Sequence, residues 1–122
     1  MTPDAVRRLA LALPGTVEAP HHEAASFRVG GKIFATLPPD GAHLHVLLDE
    51  DAVEGFPTAD PASGERLHWG ARLAGLRVPL RRASAGAVQH MLETAWRRRA
   101  PRAVVAAYDA PSPAAPRRKR RS

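Results

Sequence analysis

Val6, Leu9, Ala10 and Leu13 recur at spacings of three and four, the apolar stripe of an amphipathic helix. Thr2-Pro3-Asp4 precedes the stripe with a capping hydroxyl, a proline suited to the first helical position and an acid for the positive end of the helix dipole. Pro14-Gly15 ends it. From Thr16 to Ala25 no period is visible, and Pro20 with His21-His22 predicts a loop. The period then changes to two. Ser26-Phe27-Arg28-Val29 and Lys32 to Leu37 flank Gly30-Gly31, which predicts a tight hairpin, because glycines supply the positive φ angles of a primed turn. Phe27 and Val29 are expected on one side, and Ile33, Ala35 and Leu37 on one side of the next strand. Pro38-Pro39-Asp40-Gly41 is a turn and Ala42 to Leu48 a third strand, so 26–48 reads as a three-stranded meander.

Asp49 to Phe56 predicts a short helix opened by Asp49, Glu50 and Asp51, and Pro57 to Gly64 a loop. Leu67-His68-Trp69 is a short strand, Ala71 to Gly75 a turn or distorted strand, and Leu76 to Leu80 a strand that Pro79 restricts to an edge. Ser84 caps the last long helix, whose stripe is Val88, Met91, Leu92, Ala95 and Trp96. Arg97-Arg98-Arg99 suit its negative end, Pro101 stops it, and Arg102 to Tyr108 adds a further helical turn. The predicted class is α+β, an antiparallel sheet packed against N- and C-terminal helices in two layers. Residues 1–110 form one domain, and 111–122 a disordered Pro/Ala linker with a basic tail.

Composition changes this picture in one respect. The 122 residues carry a net charge of +6. Arg117, Arg118, Lys119, Arg120 and Arg121 hold five of the 18 basic residues, which leaves 13 against 12 acidic ones elsewhere, a balance of +1. The domain is therefore nearly neutral, and the pI of 11.2 belongs to the tail. Sixteen of the 18 are arginine, a bias that fits a GC-rich genome as well as it fits any function. With no cysteine, disulfides, thiolate nucleophiles and Fe–S clusters are excluded. No apolar run reaches the ~18–20 residues of a membrane span, and the first residues lack a basic and then apolar signal pattern. A cytoplasmic protein without membrane contact, with the monomer favoured, is expected.

The chemistry-bearing residues are sparse. His43 and His45 share a strand face, but a metal site needs three or four converging ligands, and no such spacing is present. Ser26, Ser63, Ser84, Ser112 and Ser122 occupy no nucleophile elbow. Gly30-Gly31-Lys32 joins strand to strand without a following helix, unlike a phosphate loop. No catalytic residues, metal or cofactor are expected.

The basic residues carry more. Arg28 and Lys32 flank the Gly-Gly turn, Arg66, His68 and Arg72 precede the later strand, and Arg77, Arg81 and Arg82 lie on or after it. Two hairpins bearing such residues fit wings set against phosphates or a groove. They equally fit solvated strand faces of an arginine-rich protein. The tail at 117–121, on ~5 phosphates, gives a salt slope of about −4 to −5, and it also fits an idle solubilising segment.

Ser26 to Ala35, with its Phe-Arg-Val-Gly-Gly-Lys hairpin, resembles the MmcQ/YjbR family. The resemblance extends over about residues 2–109: Ala12 to Gly15 closing the first helix, the acidic, histidine-bearing Glu18 to Glu23, His68-Trp69-Gly70, the Arg77–Leu80 strand, and Ala95-Trp96-Arg97. Leu76 departs from it, standing where an aromatic such as Trp is expected. The resemblance implies a CyaY-like fold and a double-wing DNA-binding motif made of hairpins. By matched position it points to the Phe27–Phe34 hairpin and the 68–82 region, and it transfers no catalytic set. The function expected is non-enzymatic DNA binding through Arg28, Lys32, Arg72, Arg77, Arg81 and Arg82 with the tail. The alternative is a small protein- or ligand-binding module, which a concave pocket lined by His21, His22, His43 or Trp69 favours.

Overall fold

A computed structural model describes residues 1–56 and 64–111. The predicted 57–63 part of the loop and the tail from residue 112 lie outside the described residues. Helix α1 (Pro3–Leu11) opens as its sequence dictates, with the Thr2 hydroxyl accepting from the Ala5 N–H at 3.1 Å. Six strands follow: β1 (Val17–His21), β2 (Ala24–Val29), β3 (Lys32–Leu37), β4 (His43–Leu47), β5 (Glu65–Trp69) and β6 (Arg72–Pro79). Helix α2 (Glu50–Glu54) lies between β4 and β5, and α3 (Ala85–Arg99) and α4 (Arg102–Asp109) close the chain. The strands form one antiparallel sheet in the order β1-β2-β3-β4-β6-β5. The chain thus folds as an α+β protein of two layers.

The core lies between one sheet face and the helices. Val6 and Ala10 of α1 and Val88, Met91, Leu92, Ala95 and Trp96 of α3 are all buried, the positions the helical stripes single out. They pack over Phe27, Phe34, Leu44, Val46, Leu76 and Val78. Trp96 is fully enclosed, and its indole N–H donates to the Pro14 carbonyl at 2.9 Å, so a buried polar group keeps its partner. Ser84 and Asp49 cap α3 and α2, accepting from Ala87 N–H at 3.2 Å and Ala52 N–H at 2.9 Å.

Three expectations are corrected. Thr16–Ala25 is not a loop: Val17–His21 is a strand paired with β2, from Val17 opposite Arg28 to His21 opposite Ala24. It is an exposed edge strand with no apolar alternation, and its turn uses His22 at φ 56° in place of a glycine. Ala71–Gly75, expected as a turn or distorted strand, is a turn residue followed by a strand from Arg72 that carries a register shift against β5, where Gly75 lies opposite Leu67 and Leu73 opposite His68. β6 is not an edge. It lies between β4 and β5, and Pro79 is tolerated as its last residue, beyond the final β5 register pair at Glu65 and Arg77. Finally, Ile33 does not share a face with Ala35 and Leu37. A register shift between Phe27 and Arg28 puts both Phe34 and Ala35 in the core, and Ile33 moves to the helix-free face with Thr36 and His45.

Candidate nucleic-acid interface

The strand directions divide the basic residues predicted from sequence. In β4, Leu47 lies opposite Gly75 near the start of β6, and His43 opposite Pro79 at its end. Thr36 lies opposite His45, which sets the start of β3 beside the end of β4. The Gly30-Gly31 and Gly70-Ala71 turns therefore sit at the same end of the sheet, with β4 between their hairpins. Gly30 and Gly31 adopt φ 59° and 78°, as a primed two-residue turn requires. Arg28, Lys32 and Arg72 belong to this end. Arg77 is nearer the other end and Arg81 and Arg82 follow the strand there, so the six do not form one surface.

Arg77 is also engaged. Its guanidinium lies 3.7 Å from Glu65 and 3.8 Å from Asp40. Asp40 accepts from the Ala42 N–H at 2.8 Å and from His43 Nδ1 at 2.8 Å. The short His43 contact assigns the Nδ1 proton to Asp40, so the 3.5 Å approach of Arg77 to the same nitrogen is not a hydrogen bond. The Ala42 N–H, with His43, holds the Asp40 carboxyl below its usual range. Arg81 and Arg82 are exposed in the turn that follows β6. Leu76, at the position expected to hold an aromatic, is buried opposite Val46 and belongs to the core.

The turn-bearing end holds two further cations, which sequence reasoning assigned only to closing α3. Arg98 and Arg99 line a cleft of about 340 Å³ with Arg72, Trp69 and Leu47, alongside Asp49 and Glu50. Arg98 Nε lies 3.4 Å from the Asp49 carboxylate, and its Nη1 reaches the Leu47 carbonyl at 3.5 Å. Arg99 Nε is buried without a partner among the described residues. Burial, then the neighbouring Arg98 and Arg72, pull the Arg99 guanidinium below its ordinary range. Crowded like charges disfavour the charged form, and an anion among them relieves the repulsion. By contrast Arg97, two residues earlier, is held by Asp109 at 2.7 Å and Glu93 at 3.1 Å. On β2, Arg28 Nε donates to Ser26 Oγ at 3.1 Å, and Ser26 donates on to the Ala19 carbonyl at 2.7 Å, which fixes the arginine on the helix-free face. No local signal could have found Arg98 and Arg99, because their approach to Arg72 depends on the tertiary packing of the first hairpin turn against Pro101.

The helix-free face carries a second concavity, about 350 Å³ and mainly apolar. His21, His22, Ile33, His45, Leu47 and Trp69 are among its lining residues, and His43 is not. His45 Nε2 is buried without a partner among the described residues, and burial, then Arg77, keep the ring's pKa below its usual value. No group of three or more metal-ligating side chains converges among the described residues. No described helix is long and apolar enough to cross a membrane.

Residues 11–98 match the sequence model of the YjbR family. No curated protein and no solved structure matches significantly.

Proposed function

The chain belongs to the YjbR family, and from that footing we propose that it is a non-enzymatic DNA-binding protein which holds duplex phosphates at the turn-bearing end of its sheet. The observation that carries the reading is that Arg72, Arg98 and Arg99 line one cleft at the end of the sheet that bears both hairpin turns, with Arg28 and Lys32 flanking the first of those turns. The domain's charge balance is only +1, so it is this local arrangement and not net charge that favours a polyanion. Two hairpin turns at one end of the sheet, with β4 between their hairpins, are also what a double-wing arrangement needs. The tail cations at 117–121 add sequence-independent affinity through counterion release. Fluorescence anisotropy with a labelled duplex at ~50 mM salt, where phosphate contacts are strongest, tests the reading. Saturable binding that weakens with salt is expected, and no binding there overturns it.

A second reading, a small ligand-binding module, draws on the groove beside Trp69 and the histidines. A groove of that size is at the low end for a small-molecule site.

A further inference from the structure

Trp69 and Leu47 line both concavities, the apolar groove on the sheet face and the arginine cleft at the sheet's end. They form a shared wall between a compartment suited to a flat apolar group and one in which Arg72, Arg98 and Arg99 stand against Asp49 and Glu50, a balance that stays positive. Trp69 is 56 % exposed, so most of an indole surface faces solvent at this junction. His45 lines the groove and Arg99 the cleft, and His45 Nε2 and Arg99 Nε are buried without a partner among the described residues. A ligand that fills both would present a planar ring system joined to a negative charge. A nucleotide has this form.

We infer that the groove and cleft together receive one unpaired nucleotide of a single DNA strand, with the base stacked on Trp69 above Leu47 and Ile33 and its phosphate among Arg72, Arg98 and Arg99. Paired bases in a duplex are stacked on their neighbours and cannot enter a groove of about 350 Å³, whereas unpaired bases stack on exposed aromatic side chains irrespective of sequence. Charge complementarity favours a strand: the cleft opens at the end of the sheet where Arg28 and Lys32 also stand, so flanking phosphates meet further cations. This deepens the DNA-binding reading and rests on it, by naming the form of DNA the domain holds. The duplex contacts proposed above do not use the groove.

The chain has two tryptophans, and Trp96 is fully buried, so quenching of indole fluorescence reports on Trp69. The full chain is titrated at ~50 mM salt with a thymidine decamer, with a ten-base-pair duplex and with thymidine monophosphate. Quenching by the decamer is expected. Trp69→Ala should weaken decamer binding about tenfold or more, and Trp69→Phe should restore most of it. Duplex affinity, read by anisotropy, should change less than about twofold in both. Because Trp69 is exposed on a hairpin, both variants should keep the wild-type denaturation midpoint. Duplex binding without decamer binding overturns this inference alone, and loss of both in the wild type overturns the DNA-binding reading with it. Equal decamer affinity in Trp69→Ala overturns the base-stacking role. Monophosphate binding as tight as the decamer's overturns the strand in favour of a free nucleotide.

Discussion

Gly30 packs against Pro101: a Cβ placed on Gly30 would lie 3.1 Å from Pro101 Cδ and 3.2 Å from Cγ. The first hairpin turn is thereby seated on the junction between α3 and α4, next to Arg98 and Arg99. Gly30→Ala meets two penalties, the positive φ of 59° and this contact, and is expected to cost about 2 kcal/mol. Gly31→Ala has φ 78° but open space around the new methyl, so about 1 kcal/mol is expected. Urea denaturation midpoints of the two variants give the comparison. A cost at Gly31 equal to that at Gly30 contradicts the packing of the turn.

Gly75 sets the approach of β4 and β6. A Cβ there would overlap the Val46 carbonyl oxygen and come within 2.8 Å of Leu48 N. Backbone cannot yield as a side-chain tip does, so Gly75→Ala is expected to destabilise by about 3 kcal/mol, more than either turn glycine. The same denaturation assay checks it.

His45 should make the fold sensitive to mild acid. Its folded pKa lies below the 6.5 of a free imidazole, chiefly through burial. The unfolded chain therefore takes up the proton first. Stability is full above pH ~6.5 and falls as pH drops towards the folded pKa, below which the loss levels off. His45→Gln should flatten this part of the stability curve. Equal pH dependence in the variant and the wild type, followed by denaturation between pH 7.5 and 5, contradicts the assignment.

The two-layer fold was legible because the helical stripes and the Gly-Gly hairpin state their periods openly. The eight-residue β6 was obscured by Gly75 and Pro79, which break the pattern for different reasons, one a close backbone approach and the other a strand end. Edge strand β1 was invisible: with Val17, Glu18 and His21 exposed, it has no apolar rhythm to read. The Ile33 error came from the bulge, which is a property of the paired strands and not of either alone. At the candidate site, sequence placed Arg28, Lys32 and Arg72 correctly in hairpins but could not tell which end of the sheet Arg77, Arg81 and Arg82 would occupy, since that depends on strand order. Arg98 and Arg99 fitted the helix dipole so well that their convergence with Arg72, which is tertiary, had no local signature.

The division of the arginines predicts unequal effects on duplex binding. Arg99→Ala should lower affinity and reduce the slope of log K against log salt by about 0.9, the loss of one phosphate contact. Arg81→Ala with Arg82→Ala, at the opposite end, should leave the slope of the folded domain unchanged. Anisotropy titrations at several salt concentrations distinguish the two, and a larger effect at 81 and 82 would relocate the interface.

The claim that the folded domain itself grips DNA is tested most directly in a chain ending at Ala110, which removes the five tail cations. Its duplex affinity is measured against salt, alone and with Arg72, Arg98 and Arg99 replaced together by alanine. Binding that persists at ~50 mM salt with a slope of about −4, and that the triple replacement abolishes, is the predicted result. Affinity that disappears with the tail, or that survives the triple replacement unchanged, contradicts it.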